Sequence, residues 1–70
     1  MKKGIYRHYK GNFYQVIDVA KDSETEEDFV IYRPMYGERA LWIRPLAMFS
    51  EIIERDGASV QRFSFHSEKK

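Results

Sequence analysis

The sequence predicts a small all-β domain: a strongly bent antiparallel sheet or SH3-like barrel of about six short strands, with one short helical turn after Pro45. Short runs rich in Tyr, Phe, Val and Ile recur at close spacing, each bounded by Gly, Pro, Asn or Asp. With 70 residues the chain is too short to fill two full sheets, and curling one sheet on itself covers its edges. Cysteine is absent, so no disulfide or thiolate zinc can staple so small a fold, and packing must hold it. The 16% aromatic content suits that task, since each large ring buries roughly 150–250 Å². A flat antiparallel sheet with the Leu46–Phe49 turn packed on one side is the competing layout.

Taken in order, Met1 to Lys3 is a basic tail and Gly4 to Tyr9 a first strand. Lys10-Gly11-Asn12 is a turn, because Gly and Asn tolerate positive φ. Phe13 to Ala20 is a second strand, pairing with the first as a hairpin. Strict alternation puts Tyr14, Val16, Asp18 and Ala20 on one face, and Phe13, Gln15, Ile17 and Val19 on the other. Lys21 to Asp28 is polar, and Ser23 with Glu26 matches a capping box that would start a single helical turn. Phe29 to Arg33 is a third strand, ended by Pro34. A turn at Tyr36-Gly37-Glu38 leads to a fourth strand, Leu41 to Arg44, with Leu41 and Ile43 expected to serve the core. Pro45 suits the first position of a helical turn over Leu46–Phe49. Glu51 to Arg55 is a fifth strand, Asp56-Gly57 a hairpin turn, and Val60 to Phe65 a sixth strand. Tyr14, Val16, Phe29, Phe49 and Phe63 are the expected core. One domain spans residues 1–70, ordered over about 4–65.

The net charge of +1 lacks the basic excess of most nucleic-acid binders. The charges are nonetheless segregated: Lys2, Lys3, Arg7 and Lys10 near the start, then an acidic block at Glu24, Glu26, Glu27 and Asp28. No apolar run approaches the length of a membrane span and no signal-peptide pattern is present, so a cytoplasmic setting without membrane contact is expected.

Catalytic and metal chemistry find little footing. His8 and His66 lie at opposite ends of the chain with no ligand spacing, and would meet only if the terminal strands paired. No serine sits in a nucleophile elbow. The acidic pairs Glu26-Glu27 and Glu51/Glu54 fall in exposed segments with nothing to perturb them. The four glycines are too scattered to cradle phosphate. The expectation is a non-enzymatic protein with no cofactor and no metal, an enzyme acting through His8 and Glu24 being the dissenting reading.

One feature rises above this background. The stretch Tyr32–Phe49 holds the only Trp and both Pro, and interleaves aromatic rings with guanidinium groups. Arginine stacks on aromatic rings, and such pairs hold planar or anionic groups. The predicted ligand-binding residues are Tyr6, His8, Tyr32, Arg33, Tyr36, Trp42 and Arg44, serving an unidentified peptide, protein or small ligand. The same rings could instead fill the core, with Arg44 as a lid over Trp42. Arg39 and Arg55 read as solvated charge. The alternative is a single-stranded nucleic-acid module using Lys2, Lys3, Arg7, Lys10, Arg33 and Arg44. Either a monomer or a homodimer formed through a strand edge fits the sequence.

The motifs also carry a family likeness. Gly4-Ile5-Tyr6-Arg7-His8-Tyr9-Lys10-Gly11, with Tyr14 and Val16, resembles the opening of an uncharacterised, mostly bacterial family, numbered sixteen fifty-three in the domain-of-unknown-function series. Val30-Ile31-Tyr32-Arg33, Tyr36-Gly37, Leu41-Trp42-Ile43-Arg44-Pro45, Met48-Phe49, Asp56-Gly57 and Arg62-Phe63 resemble its later blocks. Pro34-Met35 and Ile52-Ile53 are mild departures. The resemblance implies a stand-alone β-rich domain or an appended module, and brings no activity with it.

Overall fold

The computed structural model describes residues 1–68. Seven strands and one helical turn follow in order: β1 Gly4–His8, β2 Phe13–Lys21, β3 Asp28–Pro34, β4 Trp42–Pro45, α1 Leu46–Phe49, β5 Ile52–Arg55, β6 Ala58–Gln61 and β7 Phe63–Ser67. Five strands form one antiparallel sheet in the order β4-β3-β2-β1-β7, and β5 and β6 pair as a separate hairpin. The sheet does not close into a barrel: β4 and β7 remain its two edges. The strand predicted over Val60 to Phe65 is divided at Arg62. There the chain leaves the hairpin, with the Arg62 N–H donating to the Glu51 carbonyl (2.9 Å) and its own carbonyl accepting from Tyr9 N–H (3.0 Å).

The predicted turns hold. Gly11, at φ 114°, lets the β1–β2 loop close through His8 N–H to Asn12 O at 2.8 Å. Asp56 and Gly57 both take positive φ, the two-residue geometry that matches strand twist. The segment before β3 departs from the capping-box expectation. It forms a turn without a helix, and Asp22 rather than Ser23 caps it, its Oδ1 accepting from the N–H groups of Glu24 (2.8 Å) and Thr25 (3.2 Å). Pro45 ends β4 and serves as the N-cap of α1 instead of its first residue.

Two side-chain placements depart from strict alternation. A bulge in β2 between Val16 and Asp18 shifts the register against β3. The extra residue, Ile17, reverses the faces beyond it. Val19 now pairs with buried Val30, while Asp18 and Ala20 are exposed, contrary to the predicted face. On β4 the expected orientation is inverted. Trp42 pairs with Tyr32 and Arg44 with Val30, and directly opposed residues share a face. Val30 and Tyr32 are core residues, so Trp42 and Arg44 lie on the core side while Leu41 and Ile43 are 55% and 66% exposed.

The core face carries Tyr6, Tyr14, Val16, Val30, Tyr32 and Phe63, and α1 lays Phe49 over it. Phe49 stacks flat on Phe63, centroids 4.0 Å apart, and meets the edges of Tyr6 and Tyr32 at 5.5 and 5.4 Å. Phe29, expected in the core, instead pairs with Ala20 on the outer face and is only half-buried.

Candidate aromatic and arginine site

At one end of the core face, strands β1 to β4 and β7 bring a cluster of rings together. Tyr14 of β2 is its hub: its ring lies 5.4 Å from Phe63, 5.8 Å from Tyr32, 6.1 Å from Tyr36, 6.3 Å from His8 and 6.4 Å from Trp42. Tyr14 and Tyr36 share a hydroxyl–hydroxyl hydrogen bond of 3.2 Å. The Arg44 Nε–H donates to Tyr32 Oη at 3.2 Å, and its guanidinium lies 5.7 Å from the Phe63 ring centre. Tyr14, Tyr32 and Phe63 form a buried floor. Tyr36 and Trp42 are nearly half exposed at the rim, with His8 and Arg44 half-buried beside them.

Five of the seven predicted residues meet here: His8, Tyr32, Tyr36, Trp42 and Arg44. Tyr6 does not. It shares the core face but packs on Phe49 and Phe65, and its hydroxyl donates to the Lys2 carbonyl at 2.7 Å. Arg33 lies opposite Gln15 on the outer face, because it is one residue out of phase with Tyr32. Tyr14 and Phe63 were expected in the core and are there, yet they also line the site. The β1–β2 turn sets Tyr6 against Tyr14, which would have placed Tyr14 on the same face as His8.

The basic residues do not form one track. Lys2 and Lys3 lie near Glu68 (3.9 Å) and Asp18 (3.6 Å), and Arg7 pairs with Phe13 and Ser64 on the outer face. Lys10 and Arg44 are on the site side. The terminal strands do pair, but His8 sits on the core face and His66 meets Phe13 edge-on on the other (5.0 Å), so the histidines do not meet. Glu24 lies in the turn at the opposite end of β2 from His8. Among the described residues no group of three or more His, Cys, Asp or Glu is placed to hold a metal ion. No helix among them is long and apolar enough to cross a membrane.

Cationic side chains surround His8, one of them, Arg62, paired with Glu51 at 2.9 Å. Burial pushes the His8 pKa below its ordinary value, and the charges of Arg62, Arg44 and Lys10 push it the same way. Tyr14 is pushed up to about 12, first by burial and then by its hydrogen bond with Tyr36. The His8 shift has a consequence for stability. Well above its ordinary value of about 6.5, His8 is neutral whether folded or unfolded. As pH falls below that value the unfolded chain takes up a proton that the folded chain resists, so stability falls until pH passes the lower folded-state pKa. Urea denaturation across this range is expected to show that loss, and His8→Gln to abolish it. An unchanged slope in the variant would rule out His8 as the source.

Two surface hollows lie away from the rings. One of about 320 Å³ is bounded by Glu27, Asp28, Leu46, Ala47 and Ser50. The other, about 170 Å³, lies on the outer face among Ala20, Lys21, Asp22, Phe29, Ile31 and Ile43. The aromatic cluster opens to solvent at Tyr36 and Trp42.

The profile of a family described as "Protein of unknown function (DUF1653)" matches residues 4–65. The chain belongs to the DUF1653 family. Every residue of the aromatic site falls within the matched DUF1653 segment. A crystal structure of a DUF1653 protein from Bordetella bronchiseptica is similar, with a TM-score of 0.87 and 28% identity, over 100% of this chain and 92% of that one. No curated protein matches the chain.

Proposed function

We propose that this protein is a non-enzymatic binding module that holds a peptide or planar ligand against Trp42 and Arg44. The observation that carries this reading is an indole 45% exposed at the edge of a buried tyrosine floor, beside a guanidinium steered by Tyr32 Oη. Large rings are normally buried for their packing energy. An exposed one, backed by other rings and flanked by a cation, offers both stacking area and charge to a ligand.

Trp42 is the only tryptophan, so its emission reports on this site alone. Titration with benzoate, a planar anion, is expected to change that emission saturably, and Arg44→Gln to weaken the binding by about tenfold through loss of a charge-assisted contact. No saturable change with the folded protein would sink the reading. Single-stranded nucleic acid stands second, because the basic residues are divided between the two faces of the sheet. Saturable binding of oligothymidylate that weakens steeply with salt would put it first.

A further inference from the structure

Building on the Trp42–Arg44 reading, we propose that the natural occupant is an extended acidic peptide that adds as a further strand to the free edge of β4. The strand is the last in its sheet, and no bulge interrupts its pairing with β3. Among the described residues its outward backbone groups make no hydrogen bond. Natural edges are commonly blunted by bulges, covering loops or charge on the strand; β4 has Pro45 at its end and one charge, Arg44, whose Nε–H is turned inward onto Tyr32 Oη. Its exposed side chains are large and apolar on both faces, Trp42 on one and Ile43 on the other.

An added strand would meet both faces at once. Residues directly opposed across a ladder share a face, so the partners of Arg44 and Trp42 stand two apart on the ring side. The residue between them lies against Ile43, over the outer hollow that Phe29, Ile31 and Ile43 line. Charge decides the residue opposite Arg44. No carboxylate among the described residues lies within ion-pair distance of Arg44, whereas Arg62 nearby is already paired with Glu51 at 2.9 Å. The peptide therefore presents Asp or Glu to Arg44, an apolar residue to Ile43 and an aromatic one to Trp42. A second copy of β4 fits less well, because it has no carboxylate to set against Arg44.

The probe is a blocked pentapeptide, Thr-Glu-Val-Phe-Thr, which contains no tryptophan. Its titration is expected to change Trp42 emission saturably and to slow amide exchange along β4 by about tenfold. Replacing its Glu by Lys is expected to weaken binding by about tenfold, and Arg44→Gln to erase the difference between the two peptides. If that variant does not fold, the two-peptide comparison on the unaltered protein decides alone. Equal binding of both peptides, binding without protection of β4, or a dimer in light scattering whose β4 amides are already protected would each overturn strand addition. Benzoate binding without peptide binding would overturn it and leave the ligand face standing. Failure of both probes would sink the ligand face as well.

Discussion

Replacing Phe49 with Ala is expected to remove about 3–5 kcal/mol of folding stability, the range for emptying a buried aromatic site. Phe49 is 1% exposed and is the buried residue of α1. Its ring stacks on Phe63 and abuts Tyr6 and Tyr32, side chains drawn from β7, β1 and β3. One truncation therefore loosens three strands and the turn that covers them. A domain of this size holds about 4–10 kcal/mol in all, and neither a disulfide nor a metal ligand set among the described residues can compensate. The midpoint of thermal unfolding should fall by roughly 15–30 °C. Phe49→Leu, which keeps apolar bulk and loses the stack, should cost roughly 1–2 kcal/mol. If circular dichroism melts of Phe49→Ala shifted by only a few degrees, α1 would not be the cover of the core.

Gly4→Ala is expected to cost about 2–4 kcal/mol, from a strained dihedral and a backbone overlap together. Gly4 has φ 140°, a conformation side chains rarely adopt, and an added Cβ would lie 2.5 Å from the Ser67 carbonyl oxygen. That oxygen belongs to backbone, so no rotamer change relieves the clash. The strain falls where β1 meets β7, next to the register shift between Ile5 and Tyr6. The loss should therefore be local as well as global: amide exchange along β7 should accelerate more than along β3. Uniform acceleration, or none, would show that the β1–β7 contact is not what requires glycine there.

Much of the fold was legible because its signals are local. Gly11 and the Asp56-Gly57 pair marked turns through backbone freedom, and Pro45 marked where β4 gives way to α1. The aromatic cluster was legible in part. His8, Tyr32, Tyr36, Trp42 and Arg44 do converge, since two-residue alternation put Trp42 with Arg44 and Tyr6 with His8. Arg33 falls outside the cluster, because composition near a tyrosine says nothing about which face its neighbour takes. Tyr6 also falls outside it, because alternation assigns a face and not a position along the sheet, and Tyr6 packs against Phe49 and Phe65. The bulge at Ile17 had no local signal: Val16, Ile17 and Val19 are all at home in an extended strand, and only pairing with β3 selects the extra residue.

From the chain alone came the strand-and-turn grammar, the need for aromatic packing without cystine, and the pairing of an indole with a guanidinium on β4. Which side of β4 looks inward was a tertiary decision. Leu41 and Ile43 are as apolar as Trp42, so transfer energy alone could not choose. Registry with Val30 and Tyr32 chose, by setting Arg44 and Trp42 over residues that were already buried.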